Sequence, residues 1–132
     1  MTTTSTRHLG LTLDAGALIG IDRGSAKVRA LLAKAHERSW PLMVPAGVLA
    51  QVWRNGASQA PLARLLGTPS LEIIPLDQHI ARTAGELCGR AGVSDIVDAS
   101  VVLCARQRNH AVITSDPGDL VRLDPHVPLI TI

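Results

Sequence analysis

Ser94-Asp95-Ile96-Val97-Asp98-Ala99-Ser100-Val101-Val102-Leu103-Cys104-Ala105 opens with two aspartates three residues apart and continues as an almost unbroken apolar run. Its β-branched residues Ile96, Val97, Val101 and Val102 would suit a strand. Strands usually stop at about eight residues, however, and this pattern runs on, so its length predicts a helix from Asp95 to about Asn109. Positions i and i+3 are neighbours on a helix, which puts both carboxylates on one face of the first turn. A helix apolar almost all round is buried, and its charged end must open onto something that uses the charge.

Around this segment, helical patterns alternate with short apolar runs. Leu11-Thr12-Leu13 reads as a buried strand running into Asp14-Ala15-Gly16-Ala17-Leu18-Ile19. Residues 41–45, 71–76, 111–115 and 127–132 supply four more strands, while 25–39, 46–55, 61–66 and 79–91 carry helical stripes. In the helix over 46–55, Val48, Leu49 and Val52 face inward, and Gln51 shares another face with Asn55. Such alternation predicts a single α/β domain over residues 9–132, a parallel sheet with helices on both faces, after a flexible polar leader over residues 1–8.

Composition narrows the function. At 132 residues with 46% hydrophobic and 18% charged side chains, the chain can bury a core without disulfide or metal staples. Phe and Tyr are absent and only Trp40 and Trp53 are aromatic, which argues against single-strand nucleic-acid binding by base stacking. The net charge of +2 says little about partners, but the recurring arginines at 54, 64, 82, 90, 106, 108 and 122 offer either solvated helix faces or a phosphate-binding surface. Cys88 and Cys104 lack metal-ligand spacing and read as buried thiols in a reducing compartment. The five histidines form no zinc pattern, and neither a signal peptide nor a membrane span is visible, so a cytoplasmic protein is expected.

Three acidic points remain: Asp14 after the first strand, Asp95 with Asp98, and Asp116 with Asp119 after the fourth strand. Parallel sheets place ligand sites beyond the carboxyl ends of their strands, where the order of connection reverses. If the first and fourth strands are neighbours, Asp14 and Asp116 face one crevice. Each acidic pair is also a good helix start. Ser94 or Asp95 can cap with Asp98 in the first turn, and Asp116-Pro117-Gly118-Asp119 offers a capping aspartate with proline at the first helical position. Capping does not readily explain Asp14, which stands in the most apolar part of the N-terminal third. Clustered carboxylates need a counter-ion, and hard oxygen ligands without histidine or cysteine select Mg²⁺ or Mn²⁺. Such a site suits phosphodiester hydrolysis.

The order of these blocks, Leu13-Asp14-Ala15-Gly16-Ala17-Leu18-Ile19, Val44 to Trp53, Val97-Asp98-Ala99 and Val112-Ile113-Thr114-Ser115-Asp116, resembles the PIN-domain ribonucleases that serve as toxins in type II toxin–antitoxin pairs, the VapC-like family. The resemblance spans Leu11 to Ile132. It implies a five-stranded parallel sheet, Mg²⁺- or Mn²⁺-dependent RNA cleavage, a small cognate antitoxin and a homodimer; the apolar residues of 46–66 offer either a dimerisation surface or part of the core. Asp14, Asp98 and Asp116 fall on three of the family's acidic positions, as catalytic residues and metal ligands, and Asp95 and Asp119 are extra carboxylates near the same pocket. Where the family commonly has a glutamate after the second strand, this chain has Gln51, which supplies no negative charge and cannot act as a general base. The departure leaves a second reading, an RNA- or protein-binding module with weakened turnover. A phosphoacceptor receiver-like domain is the third, disfavoured because no acidic pair directly follows the first strand.

Overall fold

Leu11, Thr12 and Leu13 point alternately to opposite faces of a strand, yet all three are buried, so both faces of that strand are covered. The same holds for Ala111 to Thr114. These are β1 (Leu11–Leu13) and β4 (Ala111–Thr114), the centre of the sheet, in a computed structural model that describes residues 8–132. The other strands are β2 (Leu42–Pro45), β3 (Leu71–Ile74) and β5 (Leu129–Thr131). The order is β3-β2-β1-β4-β5, with every pairing parallel. β1 and β4 are neighbours in the register Leu11↔Ala111 to Leu13↔Ile113. The chain builds outward from β1 to β3 and then restarts on the other side at β4, so the connection order reverses between β1 and β4, and their carboxyl ends frame the crevice.

Seven helices connect the strands: α1 (Ala15–Asp22), α2 (Ala26–Glu37), α3 (Ala46–Val52), α4 (Ala60–Leu66), α5 (Gln78–Ala91), α6 (Ile96–Arg108) and α7 (Pro117–Leu123). α6 is the segment quoted at the outset. Residues Ala99 to Ala105 are continuously buried, and the helix lies across β1, β2 and β4. It stops at Asn109, which takes the left-handed conformation (φ 57°) that asparagine tolerates better than most residues. None of the helices among the described residues is long and apolar enough to cross a membrane. Residues 1–7 of the expected leader lie outside the described residues; His8 stacks against Trp40 with ring centroids 4.5 Å apart.

Two expectations are corrected. The run after β1 is a helix of its own, α1. It has no amphipathic stripe because it is packed on several sides, against α2, α3 and α4 as well as the sheet. Gly20 permits the close approach of α2, since a Cβ there would lie 2.6 Å from Val28 Cγ2. The helix after β2 ends at Val52 rather than Asn55. The Gln59 side chain accepts hydrogen bonds from the Arg54 and Asn55 N–H groups (2.8 and 3.0 Å) and turns the chain there, so Asn55 does not share a helix face with Gln51.

Where α6 hands over to β4, His110 is buried, with Nδ1 3.1 Å from the Thr12 hydroxyl. Burial, reinforced by Arg108 and His8, holds its pKa down at about 4. The folded state therefore refuses a proton that the unfolded chain accepts below its ordinary 6.5, so this stability is complete above pH 6.5 and is lost as pH falls towards 4. The loss is expected to reach about 3 kcal/mol. It would appear in urea melts as the difference in pH dependence between wild type and His110→Asn over that window.

Candidate active site

Each acidic residue is positioned by the start of a helix. The Asp14 N–H donates to Ile113 O at the end of β4 (3.2 Å), which ties the β1 exit to its neighbour. The Asp14 Oδ1 accepts from the Ala17 N–H (3.1 Å), so Asp14 caps α1, against the expectation that capping would not explain it. Asp95 caps α6, with Oδ1 accepting from the Asp98 N–H (2.9 Å). Asp116 precedes α7 but makes no side-chain cap bond, which also corrects its reading as a capping residue. Its N–H instead donates to Thr114 Oγ1 (2.9 Å), leaving the carboxylate free. Beyond the cap bonds, the Asp14 carboxylate is also hydrogen-bonded with Thr114 and the Asp95 side chain with Asp98.

Asp14, Gln51, Asp95, Asp98, Asp116 and Asp119 all line one open cavity of about 180 Å³ at the carboxyl ends of β1 and β4. α3 brings Gln51, the first turn of α6 brings Asp98, and the first turn of α7 brings Asp119. Asp14 is buried and Asp98 half-buried, whereas the other four are exposed. Among the described residues, no lysine, arginine or histidine lines this cavity.

The electrostatics follow from that imbalance. Burial pushes the Asp98 carboxyl up to about 6, helped by the like charges of Asp95, Asp119 and Asp14. Burial also raises Asp14, with Asp116 adding to the rise and hydrogen bonds from Thr114, Ala17 and Gly16 opposing it. The cavity thus holds five mutually repelling carboxylates without an internal counter-charge. Among the described residues, no three Asp, Glu, His or Cys side chains stand close enough to grip an ion as they are, two of the carboxylates being engaged in caps. The donor chemistry fits a hard divalent cation: anionic oxygens and an amide carbonyl at Gln51 line one cavity, with no soft ligand among its described lining residues.

The sequence reading missed two contributors. Thr114 accepts from the Asp116 N–H and hydrogen-bonds the Asp14 carboxylate, linking the two strand ends. The only cue was its place two residues before Asp116. Ser115 lines the cavity and packs against Gly16, where an added Cβ would overlap Ser115 Oγ and lie 2.8 Å from Ser115 Cβ. No pattern in the sequence announces that contact. Gly16→Ala is expected to lower stability by about 1–3 kcal/mol despite alanine's better helix propensity, because Ser115 is held by the end of β4. A urea melt measures this.

A model of the PIN domain family matches residues 11–124. Among solved structures, the chain is similar to VapBC2 from Rickettsia felis bound to a DNA fragment from their promoter (TM-score 0.70, 18% identity, covering 92% of this chain and 98% of that one). It is also similar to a toxin–antitoxin complex from Klebsiella pneumoniae (TM-score 0.68, 18% identity, 92% and 97% covered). A third similar structure is FitAcB from Neisseria gonorrhoeae (TM-score 0.63, 19% identity, 92% and 96% covered). At these identities the likeness is one of fold, and a comparison with curated protein sequences gives no match. The family match runs from the start of β1 past the end of α7 and encloses every residue of the acidic cavity, so the chain belongs to the PIN domain family.

Proposed function

We propose that this chain is a Mg²⁺- or Mn²⁺-dependent endoribonuclease and the toxin of a toxin–antitoxin pair. The observation that carries the reading is the convergence of five carboxylates on one cavity with no cation among its lining residues. Asp14, Asp98 and Asp116 would hold the metal, which when bound supplies an activated water and charge stabilisation for phosphodiester hydrolysis. Asp14 is oriented by its cap bond and by Thr114, and Asp98 is fixed by the first turn of α6. Asp95 and Asp119 add negative charge around Asp98. Likeness of fold to a chain of the toxin–antitoxin complex from Klebsiella pneumoniae supports a small antitoxin as partner. The hollow lined by Leu49, Ala50, Trp53 and Leu66, with Trp53 38% exposed, supports a homodimer through α3 and α4. Two free, buried thiols suit a reducing, cytoplasmic setting.

The test is cleavage of RNA by the purified chain in Mg²⁺ or Mn²⁺. Cleavage that persists unchanged in EDTA would sink the metal-dependent reading. One observation favours the second reading, a binding module without turnover: Gln51 lines the cavity and brings no charge. In that case RNA binding survives Asp14→Asn, a change that keeps the cap, while the wild type cleaves at no metal concentration.

A further inference from the structure

Beside the acidic cavity lies a second hollow of about 310 Å³ that shares Asp95, Asp98 and Asp119 with it and has Arg122 in its lining. The three carboxylates are therefore a wall common to both hollows, at the start of α6 and the first turn of α7. Arg122 is exposed in the last turn of α7 and, among the described residues, is the only cation lining either hollow. It makes no hydrogen bond or ion pair among the described residues, although Asp119 lies one turn away on the same helix. Arg106 provides the contrast: its guanidinium is committed to Asp124 through Nε and Nη2 (3.2 and 3.0 Å).

We propose that Arg122 binds a backbone phosphate of the RNA substrate next to the scissile bond, holding the strand across the acidic wall. The inference rests on the ribonuclease reading. A polyanion crossing a wall of carboxylates is repelled wherever no cation intervenes, so a free guanidinium at the edge of that wall is where a flanking phosphate gains most. Arginine presents paired donors matched to phosphate oxygens, whereas a cation that served only the C-terminal end of α7 would not need to face this hollow. Arg122 would act as a binding and positioning residue, with no proton to transfer.

The test measures binding of a 5′-labelled single-stranded RNA by anisotropy in Ca²⁺ as NaCl is raised, together with kcat and KM for its cleavage in Mg²⁺. Arg122→Ala is expected to weaken binding roughly tenfold at low salt and to flatten the slope of log K against log[NaCl] by about 0.7. KM should rise more than kcat falls, and melting should be unchanged because the side chain is exposed. Arg122→Lys is expected to retain the slope. An unchanged slope in Arg122→Ala overturns the proposal even if cleavage by the wild type upholds the ribonuclease reading. Full RNA binding with lost affinity for an acidic protein partner would reassign the arginine to that partner and also overturns it. If the wild type neither binds nor cleaves RNA, the ribonuclease reading fails and this proposal falls with it.

Discussion

Asp98→Asn is expected to abolish Mg²⁺- or Mn²⁺-dependent RNA cleavage, by on the order of a thousandfold, while stabilising the metal-free protein. Asp98 stands at the centre of the acidic field, its carboxyl raised to about 6 by burial and by Asp95, Asp119 and Asp14. A raised acid binds more protons when folded than when unfolded, so its favourable term is complete below the unfolded pKa of 3.8 and is lost as pH rises through 6. At neutral pH the metal-free fold therefore carries an ionised group it would rather protonate. Asparagine removes that charge at nearly the same size. After allowance for partial exposure and for the favourable placement of an acid in the first turn of α6, the gain should be about 1–2 kcal/mol, or about 3–6 °C in melting temperature. Saturating Mg²⁺ should raise the melting temperature of the wild type and leave that of the variant much less changed. Opposite movement of stability and activity separates a site residue from a structural one, since loss of a merely structural aspartate lowers both.

The acidic wall was legible because its parts are strand-end and helix-start residues whose spacing is local. Asp95 and Asp98 needed only the helix period, and Asp14 and Asp116 needed only the rule for parallel sheets. Their division of labour was not legible. Asp14 caps a helix that has no amphipathic signature, since α1 is enclosed by α2, α3, α4 and the sheet and shows no polar face from which to read a period. Asp116 sits in a good capping sequence, yet the Thr114 hydroxyl takes its N–H and no cap bond forms from its side chain. Likewise the Gly16–Ser115 contact and the unpaired Arg122 depend on how separate elements meet, which no stretch of sequence records.

The departure at Gln51 yields the other large effect. Gln51→Glu is expected to tighten divalent-metal binding about tenfold or more and to raise cleavage at limiting metal, because the new carboxylate enters a cavity that already gathers five. Without metal the same change should destabilise the fold, since a further like charge faces Asp98 with no cation in the lining. Metal titrations followed by melting temperature and by initial rate read both signs. If the wild type is inert and Gln51→Glu cleaves, the chain is a binding module that kept its fold. If the wild type cleaves, the charge that Gln51 lacks comes from elsewhere, and Asp95, which lines the same cavity beside Asp98, is the group positioned to give it. Asp95→Asn tests that directly, because asparagine caps as well as aspartate and removes only the charge. It should cost most of the activity in the Gln51 background and little in the Gln51→Glu background, a coupling that two independent sites would not show.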